Sequence, residues 1–126
     1  MDDLLIVSAD EIFIVLIRRF LFNQDPRIST HVCHSFTDVK HLTNATEVNG
    51  VILDDNIVGF SSLELISFLR FEKKMICPVV YFSPEGRKNE EKALLRGATR
   101  YFRKPFNPTE VLPQLIRLFG KVEMEE

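Results

Sequence analysis

Five times along the chain, a short apolar run gives way to a longer segment with helical spacing. The runs are LLIVS (4–8), ISTHVCH (28–34), GVILDD (50–55), ICPVVYFS (76–83) and TRYFR (99–103). The segments between and after them cover 10–22, 36–44, 61–71, 87–97 and 107–120. Parallel strands need a crossover of a dozen or more residues, which a helix supplies, and such crossovers are right-handed. Regular alternation at this spacing therefore predicts a parallel sheet with helices on both faces. LLIV, GVIL and PVVYF are nearly continuous in apolar residues, as strands buried on both sides require.

Local signals set the helix boundaries. Asp10 and Glu11 open the first helix, where acids favour the positive end of the helix dipole. Thr37 is the expected N-cap of the second helix, and Ser61 with Glu64 forms a capping box for the third. Gly97 stops the fourth. Asn107, Pro108 and Glu110 start the fifth and Gly120 ends it, with Pro113 about one turn inside predicting a bend or a late effective start. The pattern makes one domain of residues 1–120 and leaves a charged tail at 121–126.

Composition removes several function classes. The net charge of −2 gives no basic excess of the kind that binds a phosphate backbone. The longest greasy stretch, IFIVLIRRFLF (12–22), is interrupted by Arg18 and Arg19 and is too short to span a bilayer. The acidic start MDDLL is unlike a signal peptide, so a cytoplasmic protein is expected. Cys33 and Cys77 have no metal-ligand spacing and read as reduced thiols. His31, Cys33 and His34 lie close in sequence, but His34 points away from the other two on a strand.

In an open parallel sheet, ligands bind beyond the carboxyl ends of the strands, near the switch in strand order. The residues collected there are Ser8, Ala9 and Asp10; Asp54, Asp55 and Asn56; Ser83 and Pro84; and Lys104 and Pro105. An acid ending an apolar strand is costly to bury unless it is paired. Asp54 ends such a strand, and Lys104 is the cation that the same rim brings toward it. Asp55, next on the strand, is expected to face the opposite side.

This set resembles the receiver domain of bacterial two-component response regulators, over essentially the whole chain. LDDNIVGFSSLEL (53–65) is similar to the phospho-acceptor segment, with Asp54 followed five residues on by Gly59. FS (82–83) resembles the end of the fourth strand, and GATRYFRKPF (97–106) the signature of the fifth, with Gly97, Ala98, Tyr101, Lys104, Pro105 and Phe106 at the matching positions. The resemblance implies a flavodoxin-like, doubly wound (βα)5 α/β fold. It implies that Asp54 accepts a phosphoryl group from a histidine kinase or phosphotransfer protein. Lys104 would neutralise phosphoryl charge, Ser83 would hydrogen-bond the phosphate, and Ser83 and Tyr101 would form a switch that follows phosphorylation. It implies a binding protein, not an enzyme, that signals by changing shape and docking. The docking surface, for a downstream protein or a homodimer, would be the fourth helix, fifth strand and fifth helix, carrying Arg87, Lys88, Glu90, Glu91, Arg100 and Arg103. The Lys104–Pro105 bond is a candidate cis peptide.

The chain departs from that pattern where a metal would bind. The family carries two adjacent acids at the end of the first strand; here Ser8 and Ala9 stand there. A unit charge about 4 Å away at an effective dielectric near 20 contributes roughly 4 kcal/mol. Losing both acids predicts weak or absent Mg²⁺ binding, with Asp54, Asn56 and Asp10 as the remaining ligands. Val58 replaces a usual proline, and Pro84 stands where a small residue is usual beside the phosphoryl path. The alternative reading is thus a degenerate pseudo-receiver, a protein–protein interaction module independent of phosphorylation. A flavodoxin-like cofactor binder fits poorly, because the first loop, SADEI, has no glycine and carries two acids.

Overall fold

The computed structural model describes residues 3–120. The charged tail expected at 121–126 lies outside the described residues. Five parallel strands form one sheet in the order β2-β1-β3-β4-β5: β1 (Asp3–Val7), β2 (Ser29–Cys33), β3 (Gly50–Asp54), β4 (Val79–Ser83) and β5 (Arg100–Arg103). The helices are α1 (Glu11–Gln24), α2 (Phe36–Ala45), α3 (Ser62–Ser67), α4 (Arg87–Leu95) and α5 (Pro108–Phe119). The order reverses between β1 and β3, which places the ligand crevice at the tips of those two strands.

The strands alternate their side chains between two apolar layers, as the pleat requires. Leu4 and Ile6 of β1 join Phe13, Ile17 and Leu21 of α1 and Leu115 of α5. Leu5 and Val7 join Val39 of α2, Leu65 of α3 and Ala93 of α4. Each fully buried Leu, Ile, Val or Phe contributes about 1.5–3 kcal/mol over its exposed state. These layers fix the helices and so fix where each strand ends. Among the described residues, no helix is long and apolar enough to cross a membrane.

Most boundaries follow the local signals, with four corrections. Asp10 is the N-cap of α1, accepting from the amides of Ile12 and Phe13, but the helix runs on to Gln24 instead of ending at 22. Ser35, not Thr37, caps α2, because its hydroxyl accepts from the amide of Asp38. The fifth helix neither starts late nor breaks at Pro113. Pro113 is exposed, so the carbonyl it leaves unpaired one turn back can meet water. The third helical segment is not one α-helix. Ser61 caps it, but after Ser67 the chain widens into a π-helical turn, Phe68–Glu72, closed by the Lys73 amide on the Phe68 carbonyl.

The π-turn aims Arg70 at the carbonyl-rich base of the sheet. Its guanidinium donates to the carbonyls of Gly97 (2.8 Å), Met75 (2.8 Å) and Cys77 (2.7 Å), and to the Thr99 hydroxyl (3.2 Å). Gly97 has φ +114° and presses on this side chain; a Cβ there would lie 2.6 Å from the Arg70 Cγ. Hydrogen bonds to a charged group contribute about 1.5–3 kcal/mol each before losses for exposure. Arg70→Met is therefore expected to lower stability by about 2–4 kcal/mol, read as a shift in the urea midpoint with unchanged slope. A shift below about 0.5 kcal/mol, the range of an ordinary surface substitution, would contradict this role.

Candidate functional site

Three strand tips and one loop converge at the crevice. β3 ends on Asp54, whose side chain is fully buried. Lys104 follows β5, and its ammonium lies 2.6 Å from Asp54 Oδ1. The same ammonium lies 2.8 Å from Asp55 Oδ1, a buried oxygen with no hydrogen-bond geometry to any group among the described residues. The Phe13 ring closes another side, with its centroid 5.8 Å from the ammonium. From β1, the buried Ser8 hydroxyl donates to Asp54 Oδ2 at 2.8 Å and accepts from the Asp10 amide at 2.9 Å. Both oxygens of Asp54 thus have a protein donor.

Burial is the strongest influence on Asp54 and raises its carboxyl above the ordinary carboxylate range, against the lowering from Lys104 and Ser8. For Lys104, burial alone would lower the ammonium. The bond to Asp54 and the close negative charges of Asp54 and Asp55 outweigh it, and its pKa lies above the ordinary lysine value. The cation is the fixed feature of this pocket, and the two carboxylates share it.

The neighbouring tips form a second cluster. Ser83 ends β4 and is buried; its hydroxyl accepts from the Asn89 side chain at 2.9 Å and from the Glu85 amide at 3.2 Å. The Lys104 amide donates to the Ser83 carbonyl at 2.9 Å, and the Lys104–Pro105 peptide is cis. The Tyr101 hydroxyl donates to the Glu85 carbonyl and, at 3.3 Å, to that of Ser83. On the other side, the loop after β3 is tied to the loop after β2. The Val58 amide donates to the His34 carbonyl at 3.0 Å, and Phe60 stacks on Phe36 with centroids 4.1 Å apart. A proline at 58 has no amide hydrogen to make that bond.

No family model matches the chain. Over 120 residues it is 29% identical to protein PetR of Rhodobacter capsulatus, covering 94% of this chain and 49% of that protein, so it spans about half the length of that relative. A two-component response regulator from Clostridium difficile superposes with a TM-score of 0.85 at 17% identity, covering 97% of this chain and 98% of the other. The receiver domain of Francisella response regulator 1452 gives 0.82 at 20% identity, with 97% and 99% covered. The BeF3-activated receiver domain of DrrB gives 0.81 at 19% identity, with 95% and 98% covered. The chain has the fold of a response regulator receiver domain.

Within that receiver fold, the structure brings together Asp54 and Lys104 as the strand order required. Ser83 reaches the same edge, but among the described residues its hydroxyl bonds to Glu85 and Asn89 and not to Asp54. Tyr101 reaches the loop that follows Ser83. Asp10 does not turn into the crevice: its Oδ1 is held by the first amides of α1. Asn56 offers its carbonyl to the Ala9 amide at 2.6 Å. The expectation that Asp55 faces away is overturned. The strand ends at Asp54, so the alternation of faces no longer governs the next residue, and Asp55 turns back to the ammonium.

Sequence reasoning missed Ser8 as a donor to Asp54 and Asn89 as a partner of Ser83. The first had a signal, a small hydroxyl where a like charge would otherwise face Asp54. The second had none, since it depends on where α4 docks. His31 pairs with Asp3 at 3.0 Å and His34 with Glu11 at 3.5 Å.

The donor set does not fit Mg²⁺. A hard cation of this kind wants several free oxygens at short range. Here both Asp54 oxygens have hydrogen donors, Ala9 has no side-chain donor, Asp10 caps a helix, and the Asn56 carbonyl is engaged. The Lys104 ammonium already neutralises part of the charge of Asp54 and Asp55.

Proposed function

We propose that this domain is a receiver-type signalling module that works by docking to protein partners without phosphoryl transfer at Asp54. One observation carries the reading: the buried Asp54 carboxylate is held at both oxygens, by Lys104 and by Ser8. A phosphoryl acceptor needs a free oxygen in line with the donor and cations to gather the equatorial charge. Among the described residues, the only cation within bonding distance is already shared between two carboxylates. On this reading the module binds and does not catalyse, and its partners belong to a two-component or phosphorelay pathway. The surface offered is α4, β5 and α5, with Arg87, Lys88, Glu90, Glu91, Arg100 and Arg103. The Tyr101 bond to the Glu85 carbonyl joins that surface to the crevice.

A second reading has its own support. Asp54, Lys104 and Ser83 occupy the strand tips where phosphoryl chemistry would take place, which favours Asp54 as an acceptor from a histidine kinase or phosphotransfer protein. Incubation with acetyl phosphate and 20 mM Mg²⁺, followed by intact mass, separates the two. The first reading expects no added phosphate on the native chain or on Pro84→Ala. A one-phosphate gain that disappears in Asp54→Ala would overturn it and establish the second.

A further inference from the structure

Beyond that function, we propose that α1 is the seam of a weak two-fold homodimer of this chain. The helix buries Phe13, Ile14, Ile17 and Leu21 against the sheet. Its opposite face should be polar in a helix that meets only water. Instead Ile12 is 82% exposed, Val15 50% and Phe22 60%. With Arg19 these fall at 12, 15, 19 and 22, the three-then-four spacing of a helix–helix seam.

The charges on this stripe select the occupant. Glu11 stands at its start, 75% exposed, with His34 at 3.5 Å as its ion-pair partner among the described residues. Arg19 stands near its end, exposed, with no acidic partner among the described residues. A stripe that is acidic at one end and basic at the other complements an antiparallel copy of itself, as an isologous contact requires. Antiparallel pairing lays Ile12 against Phe22 of the second copy and Val15 against the aliphatic stem of its Arg19. The guanidinium then lies about one helical turn, 5.4 Å, from the opposite Glu11, within side-chain reach. Four such layers make a small interface, so the dimer forms at tens to hundreds of micromolar, on the order expected below about 1,200 Å² of buried surface.

Sedimentation velocity on the full chain across that range tests the proposal, with circular dichroism to verify folding. The native chain should shift from monomer to dimer, and Val15→Glu, an exposed position, should stay monomeric and folded. Glu11→Arg alone and Arg19→Glu alone each set like charges together and should weaken association about tenfold or more. An equimolar mixture of those two variants restores opposite charges and should recover a dimer. A native chain that stays monomeric throughout, a dimer indifferent to Val15→Glu, or a mixture no tighter than its components would overturn it.

Discussion

Replacing Lys104 with methionine is expected to lower stability by about 3 kcal/mol or more, the scale for breaking a buried ion pair from one side. The loss comes from what remains. Asp54 is fully buried, and Asp55 keeps a buried oxygen whose near cation is this ammonium. Without it, the fully buried Asp54 carboxylate and the buried oxygen of the part-exposed Asp55 lose their shared counter-charge. Lys104 itself retains 22% of its side-chain exposure, which puts the effect at the lower end of the range. Urea unfolding measures it, and the double variant Lys104→Met, Asp54→Asn should regain a large part. A loss under about 1 kcal/mol, the scale of a surface pair, would mean that the pair is not the anchor described here.

The same pair sets a pH signature. The folded pKa of Lys104 lies above the ordinary 10.5. Its contribution is therefore fully present below that value and lost as pH rises through the folded one. Native protein should lose stability above about pH 10.5 in a window that Lys104→Met does not show. Asp54 has its folded pKa above 3.8. Its own contribution is largest below that pH and declines as pH rises, so acid does not act on the fold through Asp54.

Restoring the acids of the first strand should convert the pocket. Ser8→Asp with Ala9→Asp removes the hydroxyl donor from Asp54 and adds like charges beside it. The metal-free variant should melt below the native chain. Mg²⁺ should then stabilise the variant: at ten times its dissociation constant the linkage is about 1.4 kcal/mol, roughly 5 °C for a domain of this size. The native chain should move by less than about 1 °C under the same conditions, because a cation that binds weakly at that concentration contributes little to stability. Equal stabilisation of both proteins would refute the idea that the residues at positions 8 and 9 decide how well the crevice holds Mg²⁺.

The alternation of apolar runs and helical segments was enough to set the parallel sheet, its two apolar layers and the edge where Asp54 and Lys104 meet. Those features depend on periodicity and on burial, which are properties of residue order. Caps at Asp10, Ser61 and Asn107 were equally legible, because a capping side chain bonds within its own first turn. The direction of Asp55, the grip of Ser8 on Asp54 and the carbonyl cluster around Arg70 were not. Each depends on how a chain leaves regular structure: at the last residue of β3, at the turn after β1, or through one widened helical turn. The sequence thus determined which residues arrive at the crevice. Only the packed structure decided that a lysine and a serine already hold the carboxylate, since that outcome turns on tenths of an ångström between groups 46 and 50 residues apart.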